Sequence, residues 1–184
     1  MSNYGDKIYW DNRYLQKVEY FDWLLDYQSL ENILNSLIDK NHKILQLGCG
    51  NALLSTDMYD AGFKNITNID ISPVCIDQMA RSNAQRTEMS WLEMDALDMT
   101  FPDESFDVVI DKSTLDAILC GDNYYYNSAK MLMEVQRVLK TGGIYIVLSY
   151  NPPLYRTPYF VKFLNNFRTS NTSPSIWRCS SSPP

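Results

Sequence analysis

Lys43-Ile-Leu-Gln-Leu-Gly-Cys-Gly-Asn-Ala-Leu-Leu-Ser55 (KILQLGCGNALLS) carries an apolar run straight into Gly48-Cys49-Gly50-Asn51 and then into a second apolar run. Read locally, this is a strand, a tight turn and a helix. The two glycines allow the backbone either to turn sharply or to come close to a ligand. A dinucleotide, a nucleoside-bearing ligand without phosphate and a purely structural turn all suit such a stretch, and the surrounding sequence has to decide among them.

Downstream of Lys43, short β-branched runs alternate with amphipathic runs of helical length, the pattern of a parallel sheet with crossover helices. Strands are expected at 43–47, 65–70, 89–94, 105–111 and 142–150, and helices at 52–61, 72–86 and 126–140. Ser72-Pro73 is a helix start, with Ser as cap and Pro at the first helical position. In the third helix Met131, Leu132, Val135, Val138 and Leu139 form one apolar face, and Thr141-Gly142-Gly143 stops it and opens the next strand. A further helix, 27–40, precedes the first strand. The fold class is therefore α/β, a Rossmann-like doubly wound, mostly parallel sheet with helices on both faces. Residues 1–164 are expected to form a single domain, with 1–40 an aromatic N-terminal cap and helix and 43–150 the cofactor-binding core. Residues 165–184, rich in Ser, Thr, Asn and Pro, read as a loop or disordered tail.

Composition narrows the function. The 184 residues are 45% hydrophobic and 21% charged, ordinary for a globular protein. A net charge of −6 and a pI near 4.7 leave no basic footprint for nucleic acid. Cys49, Cys75, Cys120 and Cys179 are scattered without a C-x-x-C pair, so neither a zinc site nor a disulfide framework is expected, and the compartment is read as reducing and cytoplasmic. No apolar run approaches the length of a membrane span. The one histidine, His42, lies in a polar turn, which disfavours nucleophilic catalysis by a Ser-His or Cys-His pair.

Ligands of doubly wound sheets bind outside the carboxyl ends of the strands. Gly48 and Gly50 follow the first strand, and the second ends in Asp70, where a carboxylate can accept hydrogen bonds from two ribose hydroxyls. Dinucleotide binding wants a third small residue where this chain has Leu53. A ligand with adenosine but no phosphate fits better, which points to S-adenosylmethionine. Asp95 and Ala96, just after the third strand, can take the adenine amino group and flank its ring.

With LQLGCGN, NIDIS, MDALDM, FPDESFDVVIDKSTLDAIL and EVQRVLKTGG, the chain resembles the class I S-adenosylmethionine-dependent methyltransferases. YWDNRY (9–14) and YFDWLLDY (20–27), followed by the D-K-S-T-L-D-A element, narrow the resemblance to the methyltransferase-like group that modifies lysines of translation elongation factor 1 alpha. It covers roughly Tyr4 to Arg156. The resemblance implies that Trp10, Tyr14 and Trp23 close over the cofactor and that Gly48 meets its methionine portion. Asp70 with Ile71 would hold and flank the ribose, Asp95 and Ala96 the adenine, and Lys112 would line the reaction side. It also implies a protein substrate. A lysine of a protein is the leading acceptor, a small amine is its nearest rival, and a cofactor-binding module without turnover is the reading from outside the enzymes; the oligomeric state stays open.

Several positions depart from the group. Gln46 stands where many methyltransferases carry an acidic residue, and Ser113 where the group often has glycine. The fold family adds two antiparallel strands after the fifth, for which 165–184 offers no convincing candidates. Asn151 in SYNPPLY follows the fifth strand, and its two prolines read as a stop signal rather than as part of a site. Tyr124-Tyr125-Tyr126 is a candidate aromatic wall for an amine acceptor.

Overall fold

Alternation of side chains along the strands decides how the molecule is layered. In the computed structural model, which describes residues 4–163, 167–169 and 176–180, the central strands are β1 (Ile44–Leu47), β2 (Ile66–Asp70), β3 (Ser90–Glu93), β4 (Phe106–Lys112) and β5 (Leu139–Leu148). All five run parallel in the order β3-β2-β1-β4-β5. Leu45, Leu47, Ile69, Val109, Tyr145 and Val147 point to one face and bury against Met131, Leu132, Val135 and Val138 of α6 (Tyr124–Val138). Ile44, Ile66, Val108, Ile110, Ile144 and Ile146 point to the other. There they meet Leu30 and Leu34 of α2 (Tyr27–Leu37) and Leu54 and Met58 of α3 (Leu54–Asp60). Both faces are covered, as a parallel sheet requires.

Local chemistry starts the helices where the crossovers need them. Asp6 caps α1 (Lys7–Gln16), Asp26 caps α2, and Ser72 caps α4 (Pro73–Ser82) with Pro73 in its first turn. Helix α1 lies on α4, where Tyr14, Cys75 and Met79 form a small core of their own. At the end of β4, Asp111 accepts from the backbone N–H of Thr114 at 2.8 Å and of Leu115, and so starts α5 (Thr114–Ile118). Tyr145 Oη donates to the same carboxylate at 2.8 Å.

The structure corrects the sequence reading in several places. Helix α6 ends at Val138 and β5 begins at once; Thr141-Gly142-Gly143 lies inside the strand, not ahead of it. Leu139 pairs with Phe106 and Ile144 with Val108, so the intervening residues bulge from the ladder, with Gly142 at φ +83°. Pro153 does more than stop a strand, because it opens α7 (Pro153–Phe163). The tail expected to be a loop holds two strands, β6 (Phe167–Thr169) and β7 (Ile176–Ser180), extending the order to β5-β7-β6. Strand β7 is antiparallel to both neighbours, with Ile144 opposite Ser180 and Phe167 opposite Cys179. These short strands depend on β5, whose edge offers a row of backbone groups that an antiparallel pair can complete. The remainder of that tail lies outside the described residues.

Ser113, between β4 and α5, adopts φ +70°, a left-handed conformation that costs a side-chain-bearing residue about 1–2 kcal/mol. Its Oγ is also buried without a hydrogen-bond partner. Glycine removes both penalties and returns part of the gain through a more flexible unfolded chain. Ser113→Gly is therefore expected to stabilise the fold by about 1 kcal/mol, read as a higher denaturation midpoint at unchanged m-value.

Candidate functional site

The turn after β1 opens onto a cavity of about 560 Å³ at the carboxyl ends of the strands. Gly48 has φ +48°, and a Cβ there would lie 2.4 Å from Thr114 Oγ1, which itself donates to the Leu47 carbonyl. Gly50 has φ +55°, and its Cβ would come within 3.0 Å of the Tyr14 hydroxyl. Thr114 and Tyr14, which also line the cavity, thus press on the two glycines and leave no space for a side chain at either. Gln46 does not line it. Its side chain is buried beneath α3 and bonded to Ser55, whose hydroxyl also lies 2.5 Å from Asn68 Oδ1.

All ten residues assigned to cofactor binding from the sequence line this one cavity. Asp70, at the tip of β2, is buried and accepts from Gly50 N and Ser72 N, at 2.9 Å each. Burial penalises its charged form and pushes its pKa up to about 6. Each carboxylate oxygen keeps a lone pair for a further donor. Ile71 follows it. Asp95 accepts from Leu97 N at 2.8 Å, which shapes the turn that buries Ala96. Lys112, at the end of β4, is almost fully buried, donates to the Leu25 carbonyl and is ion-paired with Asp22. Burial lowers its pKa, and the Asp22 carboxylate opposes that shift.

The N-terminal segment roofs the cavity. Trp10 stacks on Tyr14 with ring centroids 5.9 Å apart, and its Nε1 donates to the Tyr4 carbonyl at 2.7 Å. Trp23 meets Phe21 and Tyr4 edge-on, with the Arg13 guanidinium over its ring. The roof is pinned at several points. Asn51 donates to the Glu19 carbonyl, Leu53 N to Asp22, and Ser72 Oγ to Asp11. At the far side Gly5 and Gly121 touch backbone to backbone, so a Cβ on Gly5 would fall 2.6 Å from Gly121 Cα.

Sequence reasoning missed four residues of this arrangement. Asp22 and Asn51 hold the roof; Asp116 and Arg156 form a buried ion pair in the cavity wall. Asp22, Asn51 and Asp116 belonged to recognisable motifs without a role attached, and nothing local marks Arg156. Of the three consecutive tyrosines only Tyr124 lines the cavity. Asn151, set aside from the sequence, lines it too. Among the described residues no cluster of three or more His, Cys, Asp or Glu could hold a metal, and no helix is long and apolar enough to cross a membrane.

Residues 38–177 match the family described as the methyltransferase domain. The human eEF1A lysine and N-terminal methyltransferase is 43% identical over 150 residues, which are 79% of this chain but 22% of that protein. The chain thus spans about a fifth of that relative's length. EEF1A lysine methyltransferase 4 of Mus musculus is 33% identical over 182 residues, covering 94% of this chain and 71% of the relative. A SAM-dependent methyltransferase from Aquifex aeolicus shares the fold, with TM-score 0.64 at 12% identity over 81% of this chain and 86% of its own.

The raised Asp70 pKa fixes the sign of a pH effect. The folded state holds this proton more tightly than the unfolded chain, so its contribution to stability is full below about pH 4 and is lost as pH climbs through about 6. Relative to Asp70→Ala, which cannot titrate there, the wild type is expected to lose on the order of 2 kcal/mol between pH 4 and pH 7. Urea unfolding of both proteins across that range measures it; a difference that grows with pH would contradict the assignment.

Proposed function

We propose that this chain, which belongs to the methyltransferase-domain family, transfers the methyl group of S-adenosylmethionine to a lysine amine of a protein, with translation elongation factor 1 alpha as the first candidate. The observation that carries the proposal is the convergence of Gly48, Asp70, Asp95 and the aromatic roof on one cavity. Its volume is ordinary for a small-molecule site. The residues fit the cofactor: the two glycines present bare backbone to the cavity, the buried carboxylate has lone pairs to spare, and Ser113 Oγ is a buried polar atom in the wall without a partner. The protein acceptor is supported by the names of the relatives at 43% and 33% identity.

In this reading Asp70 holds the ribose hydroxyls and Ile71 flanks the ribose, Ala96 flanks the adenine, and Asp95 accepts from its amino group. Trp10, Tyr14 and Trp23 exclude water, and Lys112 with Asp22 keeps the roof seated at the reaction side. When bound, S-adenosylmethionine supplies a methyl group already activated on a sulfonium. To take that methyl group the acceptor amine would have to enter uncharged, S-adenosylhomocysteine would leave with the C–S electron pair, and the methylated ammonium would give its extra proton to water. The chain's contribution is alignment and a dry, aromatic-lined site, where burial lowers the ordinary lysine pKa of about 10.4.

Calorimetric titration with S-adenosylmethionine and S-adenosylhomocysteine tests the cofactor site. Both are expected to bind, at least about tenfold more weakly to Asp70→Ala, which loses hydrogen bonds to a charged acceptor. Incubation with methyl-labelled cofactor and purified elongation factor 1 alpha is expected to label lysine. Binding without labelling would point to another acceptor or to a module without turnover, and absence of binding by folded protein would remove the methyltransferase reading.

A further inference from the structure

The cofactor reading leaves one wall of the cavity without a task. That wall is built from α5, the loop after β5 and α7, and is held together by a buried polar cluster. Asp116 Oδ1 accepts from Arg156 Nη2 at 2.5 Å and from Ser149 Oγ at 2.6 Å; Arg156 Nε also reaches Ser149 Oγ at 2.8 Å. The other carboxylate oxygen accepts from the backbone N–H of Tyr150 at 2.7 Å. Arg156 and Ser149 are almost completely buried. Such an ion pair is a weak device for stability, because desolvating both charges offsets most of their attraction. What it does here is positional: it fixes the main chain where Tyr150 and Asn151 enter the cavity wall.

Outside the roof segment, two of the lining aromatics are exposed. Tyr150 is 81% exposed and Tyr124 51%, although both line the cavity, so they stand at its rim instead of in its floor. Exposed aromatic faces at the mouth of an acidic protein suit a cationic chain that has to pass through: they attract an ammonium, methylated or not, without the strong hold of a carboxylate. The carboxylate nearest the Tyr150 backbone is already occupied by Arg156, Ser149 and that backbone, so Asp116 is not left to trap the charged, unreactive form of the amine. Aliphatic stems also lie well on aromatic rings.

We infer that Tyr124 and Tyr150 are the entry for a lysine side chain, with Asn151 beside it, and that Asp116 is a positioning residue acting through Arg156 and Ser149. The inference rests on the proposed methyl transfer and deepens it by naming the acceptor's half of the cavity. The test is steady-state methylation of purified elongation factor 1 alpha by wild type, Tyr150→Ala, Tyr150→Phe and Asp116→Asn, beside calorimetric S-adenosylhomocysteine binding for each. Tyr150→Ala and Asp116→Asn are expected to raise the acceptor KM by about threefold to tenfold with kcat little changed. Tyr150→Phe, which keeps the ring face, restores wild-type KM, and cofactor affinity stays within about twofold throughout. Should Asp116→Asn unfold, Tyr150→Ala still decides, since its ring projects from the surface. An unchanged acceptor KM in Tyr150→Ala, failure of Tyr150→Phe to restore it, or a parallel loss of cofactor affinity overturns the inference while leaving methyl transfer intact. A wild type that binds cofactor but methylates no protein removes the inference together with the acceptor reading on which it stands.

Discussion

The Asp70 carboxylate joins the two turns on which the open end of the sheet is built. One oxygen accepts from Gly50, in the turn after β1, and the other from Ser72, at the cap of α4. Taking a carboxylate out of water is expensive, and its pKa of about 6 records that cost. The two backbone donors offset part of it and in return become fixed in space. Through Gly50 the arrangement reaches Tyr14, and through Ser72 it reaches Asp11, so the placement of the N-terminal helix depends on it as well.

A second buried charge does similar work on the opposite side. Lys112 is buried at the end of β4, and its partner Asp22 belongs to the segment that roofs the cavity. A lysine buried this deeply needs a counter-charge, which makes it a reason for that segment to stay down. Asp22 also takes the Leu53 N–H, so the roof is tied to the glycine turn and to β4 by one side chain. The cavity is therefore assembled from distant parts of the chain by carboxylates, while the apolar layers beneath it carry the sheet.

Most of the sheet was legible because short β-branched apolar runs and period-3.6 helices leave strong local traces; Ile44 to Leu47 and Phe106 to Lys112 are buried along nearly their whole length. The cavity lining was legible for a different reason: Gly48, Asp70, Asp95 and Lys112 all stand at strand ends, which this topology brings together. What escaped depended on contacts distant in sequence. The hairpin of β6 and β7 exists only against the edge of β5, and Arg156 acquires meaning only opposite Asp116. Ser113 was visible as a departure, yet its significance lies in a positive φ that no composition reveals.

The contact between Gly5 and Gly121 sets the height of the roof. Because two main chains meet there with no side chain between them, the ceiling stands as low as backbone geometry permits, and no rotamer change can adjust it. A single methyl on either residue would act as a shim, lifting the aromatic segment by the best part of an ångström and letting water in along its edge. Two glycines more than a hundred residues apart thus work as a spacer gauge, and the thickness of whatever lies under the tryptophans is dictated by atoms that are not there.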